Sequence, residues 1–91
     1  MNVHVNISVS GRVQKIGFRY STQEVANQLN IFGFVKNMPD RTVYIEAEGA
    51  EENLKLFIEW CHDGPRWAHV DNVEVEKSAM KNFTVFEIKM L

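Results

Sequence analysis

Every second residue from Val3 to Val9 is apolar and β-branched: Val3, Val5, Ile7 and Val9 alternate with His4, Asn6, Ser8 and Ser10. Period-two alternation of this kind specifies a strand with one face in a core and one face open. Such a strand needs partner strands along its edges and a second layer over its apolar face. The rest of the chain is therefore read for strands that pair with it and helices that cover it.

Ser21-Thr22-Gln23-Glu24 reads as a capping box, with Ser21 as N-cap and Glu24 three residues on. Tyr20 and Val25 occupy the staple positions of that motif. Val25, Ala26 and Leu29 then share a helical face, and Asn30 can take the left-handed conformation that ends a helix. Gly33 to Asn37 is a short second strand, and Pro39-Asp40-Arg41 a turn. Thr42 to Glu48 alternates again, with Val43, Ile45 and Ala47 inward and Thr42, Tyr44, Glu46 and Glu48 outward. A second helix runs from about Ala50 to His62, with Leu54, Phe57, Ile58 and Cys61 at core spacing. Glu51 and Glu52 suit its N-terminal dipole, and Gly64-Pro65 stops it. Val70 to Glu76 is a fourth strand, Lys77 to Asn82 a polar connection, and Phe83 to Lys89 a fifth strand. The order is β-α-β-β-α-β plus a terminal strand. Two interleaved right-handed crossovers predict an α+β, ferredoxin-like two-layer sandwich, with an antiparallel sheet and both helices on one face.

Ninety-one residues, 45% hydrophobic and 24% charged, suit one globular domain spanning residues 1–91. The formal net charge of −2 argues against a general nucleic-acid or anionic-membrane binder, for which a basic chain is the rule. The single cysteine, Cys61, permits no internal disulfide, which fits a reducing, cytoplasmic compartment. The N-terminus has neither the basic region nor the apolar run of a signal peptide, and no stretch is long and apolar enough for a membrane span.

The stretch Ser10-Gly11-Arg12-Val13-Gln14-Lys15-Ile16-Gly17-Phe18-Arg19-Tyr20 joins the first strand to the first helix. A loop entering a helix N-terminus offers unpaired N–H groups and a favourable dipole to an anion. Arg19 can add a charged fork that grips two phosphate oxygens at once. The stretch reads as a phosphate or carboxylate cradle, or equally as an ordinary loop with a surface arginine. Strands one and two are parallel in the predicted topology. Arg19, just past the end of the first, and Asn37, at the end of the second, therefore reach the same edge of the sheet. Asn37 also fits a strand end whose side chain closes the following turn. His4, His62 and His69 are scattered; they read as surface positions, with His62 compensating a helix C-terminus. No metal-ligand spacing is present, and Glu51-Glu52 is a solvated helix start.

Gly11-x-Val13-Gln14-x-Ile16-x-Phe18-Arg19 resembles the phosphate-loop signature of the acylphosphatase family. Gly33-Phe34-Val35-Lys36-Asn37, with the Pro-Asp turn and Val43, resembles its second motif. The likeness continues through Glu48-Gly49, Trp60, Gly64-Pro65 and Phe86-x-Ile88. This resemblance implies hydrolysis of the carboxyl–phosphate bond of acyl phosphates to a carboxylate and inorganic phosphate, without a metal or other cofactor. It implies that Gln14, Lys15, Ile16, Gly17, Phe18 and Arg19 form the phosphate-binding loop, that Arg19 binds the phosphate, and that Asn37 positions the attacking water. A small-molecule acyl phosphate is then the expected partner of a monomer, with no nucleic acid or membrane. Two positions depart from the family: Lys15 stands at a usual loop glycine, and Arg41 at a usual turn glycine. Lysine at positive φ would cost roughly 1–2 kcal/mol, whereas a type I turn at Arg41 would accept most residues.

Two other functions compete. Ile31-Phe32-Gly33-Phe34-Val35 echoes the aromatic strand motif of RNA-recognition domains. It falls on the second strand, however, where that motif needs the third, and the first strand offers no stacking aromatic. The other is a catalytically weak anion-binding or regulatory domain disabled at Lys15.

Overall fold

A computed structural model describes residues 1–90; Leu91, the end of the expected domain, lies outside them. The elements are β1 (Asn2–Arg12), α1 (Phe18–Gln28), β2 (Phe32–Asn37), β3 (Val43–Ala50), α2 (Glu51–Asp63), β4 (His69–Ser78) and β5 (Phe86–Lys89). The five strands form one sheet in the order β4-β1-β3-β2-β5. β3 pairs antiparallel with both β1 and β2, so β1 and β2 run the same way, as expected. Val5, Ile7 and Val9 of β1 join Val43, Ile45 and Ala47 of β3 beneath the helices. Ala26 of α1 and Leu54, Phe57 and Cys61 of α2 complete that core.

The architecture is the expected α+β sandwich, with one correction. The sheet is mixed, because β5 pairs parallel with β2. β4 lies at one edge and β5 at the other, so residues 79–85 must cross the sheet between them. They cross its open face and deliver β5 beside β2 in the direction of β2. The terminal strand accordingly begins at Phe86, not Phe83.

That crossing also corrects the reading of His4, Glu46 and Glu48, expected as surface positions. They do lie on the face away from the helices, but all three are buried. Phe83 covers them, its ring 5.8 Å from His4 and 5.9 Å from Phe34. His4 Nδ1 lies 2.7 Å from Glu48 and Nε2 lies 3.1 Å from Glu46. Glu48 also accepts the backbone N–H groups of Lys81 and Phe83, and Glu46 accepts from Tyr44 Oη and Lys81 Nζ. Burial alone pushes both carboxyls up, yet these donors outweigh it and hold both below the ordinary carboxylate value. Tyr44 is pushed up to about 12 by burial and by its bond to Glu46.

The first helix starts earlier than its capping box predicts. Gly17, at φ 80°, is the N-cap, and the Ser21 N–H already donates to the Gly17 carbonyl at 3.1 Å. The cause is tertiary. Phe18 is 2% exposed and its ring lies 5.5 Å from Trp60. Burying such a ring contributes about 1.5–3 kcal/mol, against about 1 kcal/mol for a capping side chain. Tyr20, expected as half of a staple, is instead 64% exposed. Asn30 takes φ 55° just past the helix end, as expected.

Candidate active site

The loop from Val13 to Gly17 is held at both ends by burial. Val13 and Phe18 are both in the core, and Ile16 packs against it. Between them the backbone changes hand repeatedly. Lys15 has φ 65° and Gly17 φ 80°, while Ile16 is not among the positive-φ residues. Alternation of this kind turns successive N–H groups toward one side and makes an anion-binding concavity. It opens into the N-terminus of α1, whose first turn carries no acidic residue. The N–H groups of Phe18, Arg19 and Tyr20 precede the first intrahelical bond and are free to bind an anion.

These groups border a cavity of about 180 Å³ lined by Val13, Lys15, Gly17, Phe18, Arg19, Tyr20 and Asn37. Drug-sized ligands occupy about 300–1,000 Å³, so this cavity suits a small group. Its lining includes two cations and no carboxylate. Arg19 and Asn37 meet here as the topology requires, from the first turn of α1 and the end of β2. Arg19 Nη1 makes two long contacts, 3.4 Å to the Lys89 carbonyl and 3.5 Å to Met90 Sδ. The other guanidinium donors have no hydrogen-bond partner among the described residues.

Asn37 is set differently. Its Oδ1 is buried and has no hydrogen-bond partner among the described residues. The turn after it closes without that atom. Met38 N–H donates to the Thr42 carbonyl at 2.9 Å, Arg41 N–H donates to Met38 at 3.0 Å, and Asp40 accepts both the Thr42 N–H and hydroxyl. An unpaired buried carbonyl oxygen is costly, so Asn37 is not simply a turn-closing residue.

Gln14 joins the loop to that turn. Its Nε2 donates to the carbonyls of Met38 and Thr42, both at 2.9 Å. Gln14, expected in the phosphate-binding loop, therefore commits its side chain to positioning the backbone. The Ile16 and Phe18 side chains likewise serve the core, leaving only their backbone to face a ligand. Sequence reasoning missed Tyr20 as a cavity residue; its place one residue after Arg19 in the first helical turn is the signal that could have found it. It also undervalued Arg41. The turn holds this residue at φ 75°, where a type I turn would not, so glycine would suit it as well as it suits Lys15 at φ 65°.

The open face, the other histidines and the second strand do not compete for an anion. A cavity of about 390 Å³ on the open face is lined by Asn6, Ser8, Tyr44, Glu74, Val75 and Glu76, with no cation. Among the described residues, no three His, Cys, Asp or Glu side chains come together as a metal site. His69 is exposed and 3.4 Å from Asp71, and His62 lies in the last turn of α2. Phe34, part of the apparent RNA-recognition motif, is buried under Phe83 and not open for stacking. No described helix is long and apolar enough to cross a membrane.

A two-layer α+β sandwich with a candidate anion cradle at the start of its first helix defines the class, and comparison with known proteins defines the family. The sequence model of the acylphosphatase family matches residues 5–88. An acylphosphatase of Trichormus variabilis is 43% identical over 98% of this chain and 88% of its own. One of Archaeoglobus fulgidus is 46% identical over 94% of this chain and 97% of its own. The crystal structure of acylphosphatase from Bacillus subtilis superposes with a TM-score of 0.93 at 37% identity, over 98% of this chain and 99% of that one. The chain belongs to the acylphosphatase family.

Proposed function

We propose that this acylphosphatase grips the phosphoryl group of an acyl phosphate in the Lys15–Arg19 loop and delivers water to it from Asn37. The supporting observation is the buried, unpartnered Oδ1 of Asn37, in the same cavity as Arg19. A water donating one hydrogen to that oxygen has its own lone pair directed at the phosphorus. The loop N–H groups and Arg19 hold the three equatorial phosphoryl oxygens and take up their charge in the transition state. The oxygen of water bonds to phosphorus as the bond from phosphorus to the acyl oxygen breaks. The electron pair leaves with the carboxylate, and the protons of water end on phosphate and solvent. A carboxylate is a weak base and departs without a general acid, which matches a lining with no Asp, Glu or His. Positioning and electrostatics then carry the rate.

The same reading takes the protein as a cytoplasmic monomer acting on a small molecule, without nucleic acid. The single cysteine fits a reducing compartment. Cys61 is fully buried, its thiol pushed up to about 12 by burial, so it is poorly suited to redox or nucleophilic work. Charge stabilisation comes from the loop and Arg19, so the reaction as proposed needs no metal.

The test is hydrolysis of butanoyl phosphate in excess EDTA. Steady turnover with competitive inhibition by inorganic phosphate is expected. No turnover, or turnover lost in EDTA and restored by Mg²⁺ or Zn²⁺, would overturn the proposal.

A further inference from the structure

A second cavity, of about 320 Å³, adjoins the phosphate cradle and is lined by Gly11, Arg12, Val13, Gln14, Lys15 and Arg41. It shares Val13 and Lys15 with the cradle; of these two cavities, the cradle alone is lined by Asn37. Three of its six lining residues are cations and none is an anion. The nearby carboxylates are engaged elsewhere: Asp40 accepts from Thr42, and Asp71 lies 3.4 Å from His69. Two of the three cations stand at positions whose backbone favours glycine. Lys15 and Arg41, at φ 65° and 75°, come from different loops, yet both line this one cavity. At each, the chain carries a strained backbone and a charged side chain where glycine would remove the strain.

We propose that this cavity is a subsite for a second negative charge, borne by the acyl part of the substrate. The preferred substrates are then acyl phosphates whose acyl group ends in a carboxylate or a second phosphate. This rests on the hydrolase reading of the cradle and extends it. Water attacks from the Asn37 side, so the leaving group points away from Asn37. The second cavity meets the cradle at Lys15 and is not lined by Asn37. A short acyl chain leaving the cradle on that side brings its distal anion among Arg12, Lys15 and Arg41. Each exposed cation–anion contact is screened by solvent, so several are needed for a measurable preference.

The experiment compares succinyl phosphate with butanoyl phosphate, which have the same anhydride and chain length and differ in the terminal carboxylate. The wild-type protein should favour succinyl phosphate by about fivefold in kcat/KM, the scale of one or two screened contacts. The difference should lie in KM and shrink with added salt. Arg12→Gln and Arg41→Gly should each reduce the preference and leave butanoyl phosphate turnover unchanged. Both residues are exposed, and glycine suits the backbone at position 41, so both variants should fold. Equal use of the two substrates by wild type, or a preference that survives in both variants, would overturn this proposal alone. No turnover of either substrate would overturn the hydrolase reading and this proposal with it.

Discussion

Gln14 donates its side-chain amide to the carbonyl of Met38 at 2.9 Å, tying the loop before α1 to the residue after Asn37. The same nitrogen donates to Thr42. The proposed phosphate grip and the proposed water-orienting amide thus come from separate elements tied together by one side chain. Gln14→Ala removes the second hydrogen bond to each of two carbonyls, which keep their backbone partners, and frees the loop to drift. It should cost about 1–2 kcal/mol of stability and lower kcat by about tenfold, since small displacements at a reacting centre are expensive. Urea unfolding and steady-state turnover of butanoyl phosphate check the two effects. Unchanged kcat in a destabilised protein would show that the tie serves only the fold.

Arg19 meets the rest of the protein through long contacts to Lys89 and Met90, so little of the fold depends on it. Arg19→Ala should remove most activity and change stability by less than about 0.5 kcal/mol. Arg19→Lys should recover little, because an ammonium cannot donate two parallel bonds to a phosphoryl group. Circular dichroism melting beside the activity assay separates loss of grip from loss of fold. Near-normal turnover by the lysine variant would refute the bidentate role.

Lys15 carries backbone strain that is independent of its charge. At φ 65° an L-residue costs about 1–2 kcal/mol that glycine does not. Glycine loses part of that gain to its freer unfolded chain. Lys15→Gly should therefore stabilise the protein by about 1 kcal/mol, whereas Lys15→Ala, which keeps the Cβ, should leave stability nearly unchanged. Equal effects of the two substitutions in urea unfolding would contradict the assignment of strain.

The cluster of His4, Glu46 and Glu48 makes the segment 79–85 sensitive to acid. Glu46 and Glu48 titrate lower in the folded protein than in the unfolded chain. Between those values the unfolded chain binds more protons, so stability rises with pH. Their contribution is complete above the unfolded carboxylate value of about 4.3 and is lost as pH falls through the lower folded values. Glu48→Gln should flatten unfolding free energy against pH below about pH 4.5. His4→Ala leaves both carboxylates short of a partner and should cost about 3 kcal/mol near neutral pH. A His4→Ala protein as stable as wild type would show that the cluster does not hold the segment down.

The two crossovers, and the convergence of Arg19 and Asn37, are legible in the sequence because period and chain order fix them. Val3 to Val9 alternate, Leu54 to Cys61 repeat at helical spacing, and right-handed crossovers leave one arrangement. The start of α1 is not legible, because a local capping signal at Ser21 competes with the burial of Phe18 against Trp60, a contact far along the chain. His4, Glu46 and Glu48 read as surface residues because their alternation places them opposite the helices. Only the path of residues 79–85 across that face buries them, and that path follows from where β5 pairs. Gln14 reads as a loop residue for the same reason: its partners, Met38 and Thr42, are distant in sequence and fixed by the turn.

The central claim is that Asn37 orients water and does not hold the phosphate. The measurement that tests it most directly is kcat for butanoyl phosphate beside the inhibition constant for inorganic phosphate, in Asn37→Ala and wild type. The account predicts that kcat falls by about a hundredfold or more, the scale of a lost positioning group, while the phosphate inhibition constant stays within about threefold, because the loop and Arg19 are untouched. A near-normal kcat, or a phosphate affinity that collapses with it, would contradict the account.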